Sequence, residues 1–220
     1  MYHTIFFDLD GTLTDSKEGI MNCARYALEA MGHPPLEESV LLKFAGPPLQ
    51  DSFQTYCGFT GDTLKEAIRL FRSRYAPKGQ YENRAASGAA EMLARLKEKG
   101  VPMAVVSSKV EPMCEAICQR FGFAPSLAAI VGSPPSDDSS KAAILREAMA
   151  RMGVGPEDVS RCLMVGDRKY DVAGAKACGM DCVGVEFFGY ADPGELEEAG
   201  AVAVFRTMEA LEEFLLNNCG

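Results

Sequence analysis

Apolar positions along the chain follow two periodicities in alternation. Six short runs, Tyr2–Phe7, Pro102–Ser107, Leu127–Val131, Cys162–Val165, Cys182–Val185 and Ala201–Phe205, read as strands buried in a sheet. Between the later runs lie 3.6-residue patterns over Ser87–Lys99, Glu111–Phe121, Ser140–Met152 and Asp171–Cys178. Strand alternating with helix predicts βαβ crossovers, and so an α/β fold with a doubly wound, mostly parallel sheet covered on both faces. The alternation stops between about Ser16 and Glu82. There Ile20, Cys23, Ala24, Ala27, Leu28 and Met31 keep helical spacing, and further helices are expected at Glu37–Lys43, Leu49–Cys57 and Gly61–Tyr75. Gly32-His33-Pro34-Pro35, Gly46-Pro47-Pro48 and Pro77-Lys78-Gly79 punctuate them. The pattern predicts a core of residues 1–15 and 83–220, with a helical cap of residues 16–82 inserted after the first strand.

Length and composition fit this picture. The 220 residues suffice for a core and a smaller module, and 47% hydrophobic against 24% charged residues excludes a disordered chain. The apolar runs are far shorter than the roughly 20 residues of a membrane span. The N-terminus enters an apolar strand without a basic segment or hydrophobic leader, so a cytoplasmic location is expected. The eight cysteines form no C-x-x-C pair and lie mostly in apolar periodic segments, which reads as reduced core thiols. A formal net charge of −9 opposes attraction to nucleic acid or anionic membrane and favours a small-molecule partner. Monomer and homodimer are both compatible with the sequence.

The candidate chemistry sits at strand ends. The first strand runs into Phe7-Asp8-Leu9-Asp10-Gly11-Thr12, the second into Ser107-Ser108-Lys109, and the fourth into Gly166-Asp167-Arg168-Lys169-Tyr170-Asp171. Ligands of open parallel sheets bind at the carboxyl ends of strands, and alternate residues of an extended segment let Asp8 and Asp10 face one ligand. Asp, Gly and Thr are also ordinary turn residues, so Asp-x-Asp alone leaves a plain polar turn open.

Together, Asp-x-Asp-Gly-Thr near the start and Gly-Asp-x-x-x-Asp late in the chain resemble the haloacid dehalogenase-like (HAD) superfamily, in an order that covers nearly the whole sequence. The resemblance implies a Rossmann-like core and a phosphoryl-transfer site. In it Asp8 is the nucleophile forming an aspartyl-phosphate, and Asp10 is the general acid and base. Asp8, Asp10 through its backbone carbonyl, and Asp167 are the implied ligands of Mg2+. Ser107, with Ser108 beside it, is the implied phosphoryl contact, and Lys141 the fixed cation, although no proline follows this lysine as is common in the family. The segment Ser133–Ser140 before it is unusually rich in Ser, Pro and Asp. Lys109 is the rival for the lysine. Asp171 is expected to support the lysine or the metal's water shell, or to cap a helix. Gly11 and Thr12 fit a tight turn around phosphate oxygens. Arg168 and Lys169 read first as solvated charges, with substrate or subunit contacts as the other reading.

Gly174, Gly179 and Gly184, Phe187-Phe188-Gly189-Tyr190 and Gly46-Pro47-Pro48-Leu49 resemble the phosphoglycolate phosphatase-like branch. That branch implies a Mg-dependent phosphatase of a small phosphomonoester, such as phosphoglycolate, a nucleoside monophosphate or a pyrophosphate-like compound. A sugar-phosphate mutase of the same fold and a non-catalytic binding or scaffold relative are the alternatives. Acidic and basic residues balance in 16–82, so the net charge falls on the core. An anionic substrate then calls for a cap cation, with Lys43 and Arg25 the candidates.

Overall fold

The computed structural model describes residues 1–134 and 140–220. Residues 135–139, within the Ser-, Pro- and Asp-rich stretch before Lys141, lie outside the described residues. The chain separates into two compact units, Met1–Leu13 with Ala85–Gly220, and Thr14–Arg84. The first unit opens with β1 (Thr4–Phe7). The second contains β2 (Thr14–Asp15), α1 (Lys17–Ala30), α2 (Glu38–Leu42), α3 (Leu49–Cys57), α4 (Gly61–Tyr75) and the start of β3 (Arg84–Ala85), which pairs with β2. The first unit then resumes with α5 (Ala89–Glu98), β4 (Met103–Val110), α6 (Glu111–Arg120), β5 (Ala129–Ser133) and α7 (Lys141–Met152). It closes with β6 (Cys162–Gly166), α8 (Lys169–Cys178), β7 (Asp181–Val185), α9 (Glu195–Ala199), β8 (Ala203–Phe205) and α10 (Met208–Asn218).

Six strands form one sheet in the order β5-β4-β1-β6-β7-β8, with every neighbouring pair parallel. Side-chain alternation distributes the strands between two cores. Ile5 and Phe7 join Met103, Val105, Leu163 and Val165 against Leu93 of α5, Ile117 of α6 and Leu211 of α10. Phe6 joins Ala104, Val106 and Met164 against Ile144 and Leu145 of α7 and Val172 of α8. With both faces buried, the strands read as continuous apolar runs.

Register sets the strand ends side by side. Phe7 lies opposite Val105 on one flank and Val165 on the other, and the Asp8 amide donates to the Val165 carbonyl at 2.9 Å. The residues following β1 and β6 and the last residues of β4 therefore emerge together, beside the strand from which the order runs outward in both directions. That is where open α/β sheets bind ligands.

Some boundaries differ from the periodicity. β4 continues to Val110 through a register shift between Ser107 and Val110, because a bulge adds residues without ending the pairing. α5 starts at Ala89, after Gly88 at φ +82°, a left-handed conformation that cannot continue a helix. α8 starts at Lys169, which makes Asp171 its third residue. α10 was not expected, although Met208, Leu211 and Leu215 are buried at helical spacing and the Thr207 hydroxyl caps Ala210 N at 3.2 Å.

The second unit has its own core, built on Leu41, Phe44, Phe53, Ala67 and Phe71. Within it Phe44 packs edge to face on Phe53 at 5.1 Å between centroids, and Phe71 stacks on Tyr75 at 5.6 Å. Among the described residues, no helix is long and apolar enough to cross a membrane.

Candidate active site

Four charged side chains, all buried, converge beyond the ends of β1 and β6: Asp8, Asp167, Asp171 and Lys141. Lys141, the first residue of α7, points its ammonium inward. Its Nζ donates to Asp8 Oδ1 at 2.6 Å and to the Val106 carbonyl at 3.0 Å, and it forms an ion pair with Asp171 Oδ1 at 2.8 Å. Asp171 also holds the turn after β6, since its Oδ2 accepts from the amides of Asp167 at 3.2 Å and Arg168 at 3.1 Å. One oxygen of Asp171 thus meets the lysine and the other the amides at the start of α8, where Arg168, not Asp171, is the N-cap residue.

Glycines make room for these groups. A Cβ at Gly11 would lie 2.0 Å from Asp167 Oδ2, and one at Gly174 of α8 would lie 2.7 Å from Lys141 Cγ. Gly11 also has φ +90°, as the tight turn requires. Beside it the Thr12 hydroxyl donates to Asp167 Oδ1 at 3.3 Å.

The second carboxylate of the Asp-x-Asp pair is placed apart from this cluster. Asp10 Oδ2 meets Lys109 Nζ at 2.9 Å, both side chains being largely enclosed. The two candidate lysines therefore divide between the two aspartates, Lys141 on Asp8 and Lys109 on Asp10. Ser107 is buried and its Oγ accepts from the Lys109 amide at 3.3 Å, which fastens the bulged end of β4; Ser108 is exposed. In the second unit Arg25 donates to Asn22 Oδ1 at 2.8 Å and to Glu38 Oε1 at 2.9 Å, and Lys43 is exposed.

Arg168 departs from its reading as a solvated charge. Its guanidinium is enclosed and pairs with the buried carboxylate of Glu195, Nε donating to Oε1 at 2.8 Å. Lys169 keeps an exposed side chain, while its amide donates to the same Oε1 at 2.9 Å. Glu195 was missed in the sequence, where it is one of several acidic residues in a surface-like run, Glu195-Leu196-Glu197-Glu198.

The electrostatics follow from three buried carboxylates sharing one ammonium. Burial pushes the Asp8 carboxyl up to about 7; Lys141 opposes the rise, and Asp171 and Asp10 add to it. Burial, then the neighbouring Asp8 and Asp171, hold Asp167 well above the usual carboxylate range. Burial works against the Lys141 ammonium, but Asp171 and Asp8 more than offset it and keep the lysine charged. Three buried carboxylates against one ammonium is an environment that a divalent cation relieves. Asp8, Asp167 and Asp171 each bring an oxygen within 4.8 Å of the others, and Asp167 Oδ2 is buried without a hydrogen-bond partner. The residues present fit such an ion.

A parallel six-stranded sheet with carboxylates and a lysine gathered at its switch point defines a Rossmann-like α/β architecture. Residues 5–185 match the haloacid dehalogenase-like hydrolase family, and the chain belongs to that family, on its phosphoglycolate phosphatase-like branch. The tyrosine-protein kinase PtkA of Mycobacterium tuberculosis is 36% identical over 96% of this chain and 72% of its own length. A 5'-nucleotidase of Pseudomonas aeruginosa is 34% identical over 97% of this chain and 96% of its own. A phosphoglycolate phosphatase of Neisseria meningitidis is 30% identical over 86% and 81% of the two chains. Among solved structures, a predicted phosphatase from Clostridium acetobutylicum superposes with a TM-score of 0.91 at 35% identity, over 99% of each chain.

Proposed function

We propose that this enzyme is a magnesium-dependent phosphatase that hydrolyses a small phosphomonoester through an aspartyl-phosphate on Asp8. The observation that carries the reading is the contact of Lys141 Nζ with Asp8 Oδ1 inside a buried cluster of carboxylates. A cation fixed against a nucleophilic carboxylate is placed to hold the oxygens of an incoming phosphoryl group, and removal from water strengthens its pull.

In the first step an Asp8 oxygen attacks phosphorus while the bond to the leaving oxygen breaks, and Asp10 gives that oxygen its proton. Lys141 and the Ser107 hydroxyl face the phosphoryl oxygens. In the second step water attacks the same phosphorus, Asp10 takes the water's proton, and Asp8 is released with inorganic phosphate. Lys109 holds the Asp10 carboxylate in place between steps. Asp8, Asp167 and the Asp10 carbonyl would hold Mg2+, whose positive charge would offset the repulsion between anionic nucleophile and anionic substrate.

The names of two relatives suggest the substrate range: phosphoglycolate and nucleoside monophosphates. Lys43 and Arg25 are proposed to meet the rest of an anionic substrate. The exposed Arg25–Glu38 pair is worth under about 1 kcal/mol, so a substrate can compete for Arg25. An acidic chain lacking, among the described residues, a membrane-crossing helix suits work on a small molecule in the cytoplasm.

The test is phosphate release with Mg2+ across phosphoglycolate, pyrophosphate, nucleotides, sugar phosphates and a phosphotyrosine peptide. Turnover of one or more supports the reading. Transfer between positions of a sugar phosphate without release would replace it with a mutase, and inertness toward every compound and toward a generic aryl phosphate with a non-catalytic role.

A further inference from the structure

The pair formed by Arg168 and Glu195 has no part in the steps above. Glu195 opens α9, 27 residues beyond Arg168, yet accepts three hydrogen bonds from the turn that carries Asp167 and one from its own loop. Its Oε1 takes Arg168 Nε at 2.8 Å and the Lys169 amide at 2.9 Å; its Oε2 takes an Arg168 terminal nitrogen at 3.3 Å and the Asp192 amide at 3.4 Å. The Arg168 guanidinium also lies 5.7 Å from the Tyr170 ring centroid. A glycine admits this arrangement, because a Cβ at Gly184 of β7 would come within 2.8 Å of Leu196 Cδ1, next to Glu195.

Stability alone is a poor reason for burying two charges, since an apolar pair of equal volume commonly does as well. A guanidinium–carboxylate fork instead fixes direction. Here it ties the Arg168 side chain and the Lys169 amide to one carboxylate, directly after Asp167. Asp167 has one weak side-chain tether, the Thr12 hydroxyl at 3.3 Å, and its Oδ2 is without a partner. The aim of that oxygen is therefore set by the backbone turn, which Asp171 grips from within and Glu195 from outside.

We infer that Arg168 and Glu195 are positioning residues that aim Asp167 at the divalent cation, so that the pair sets the enzyme's affinity for Mg2+ and leaves its chemistry alone. The inference rests on the reading of Asp167 as a cation ligand. Mg2+ binding is measured by calorimetry on wild type, Glu195→Gln, Arg168→Lys and the double variant Arg168→Gln/Glu195→Gln, and unfolding temperature is measured in EDTA. The double variant strands no unpaired charge, so it folds where a single change fails. The expected result is a Kd for Mg2+ raised about tenfold or more in Glu195→Gln and the double variant. Arg168→Lys, which keeps the charge and loses the fork, should fall between them and wild type, and kcat at saturating Mg2+ should stay within about twofold of wild type. Variants that bind Mg2+ as wild type does, with only the unfolding temperature lowered, would overturn the inference and leave the proposed reaction standing. A wild type that binds no Mg2+ would overturn the cation reading and this inference with it.

Discussion

Lys141 Nζ lies 2.6 Å from Asp8 Oδ1, although 133 residues separate them in the chain. The contact exists because α7 begins at Lys141 and because Gly174 of α8 leaves space for the lysine stem. The same ammonium touches Asp171, so one positive charge serves two buried carboxylates.

Lys141→Met keeps the length of the stem and removes the charge. It should lower kcat by roughly 10²–10³, the usual loss when one fixed stabiliser of transition-state charge is removed. In EDTA the variant should unfold at lower temperature than wild type, since three carboxylates then share a pocket without a cation, and Mg2+ should recover most of that difference. Turnover at the wild-type rate would reassign the phosphoryl contact, with Lys109 next in line.

Gly174→Ala tests the steric side of the same contact. The new methyl would lie 2.7 Å from Lys141 Cγ and 3.2 Å from the Ala142 amide, the latter on the backbone, so the helices must shift or the lysine must move. Overpacking of this kind costs about 1–3 kcal/mol. Steady-state assays should show kcat falling more than KM rises, since the displaced group is proposed to act on the phosphoryl group in the transition state.

The sequence makes Asp8, Asp10 and Asp167 legible because each sits at a strand end inside a short motif, whereas Lys141 is singled out only by family resemblance, with Lys109 as its rival. The six core strands are legible for a related reason: burial on both faces turns them into apolar runs. Glu195 is illegible, since its partner is 27 residues away and its neighbours are acidic. Its buried state depends on Leu196 seating against Gly184, a contact that no local pattern encodes. The β2–β3 ribbon is missed because two-residue strands have no period to read. The helix at Met208–Asn218 did carry a signal, a Thr cap followed by apolar residues at helical spacing.

Removal of divalent cations should abolish turnover, and Mg2+ should restore it while Ca2+ does not. Ca2+ prefers longer bonds and more ligands, so it should occupy the carboxylates yet disturb the alignment of nucleophile and leaving group. Phosphate release after EDTA treatment and re-addition of each ion checks this; full activity with Ca2+, or in EDTA, would contradict it.

In the second unit Arg74 grips Glu82 with two hydrogen bonds, at 2.8 and 2.9 Å, and Asn22 adds a third at 3.3 Å. Hydrogen bonding from Arg74 holds the Glu82 carboxyl below its ordinary value of 4.5. A depressed carboxylate stabilises the fold above its unfolded pKa and loses that contribution as pH falls through the folded one. Glu82→Gln should therefore cost about 2 kcal/mol at pH 7 in urea unfolding. The difference from wild type should shrink as pH drops below about 4.5. A difference that does not change with pH would assign the loss to packing.

The most direct measurement for the proposed mechanism is acid-quench mass spectrometry during turnover, with the peptide carrying Asp8 examined for one added phosphoryl group. The account predicts that group on Asp8 in wild type, and neither label nor multiple turnover in Asp8→Asn. Sustained turnover by Asp8→Asn, with no phosphorylated Asp8 in wild type, would contradict it.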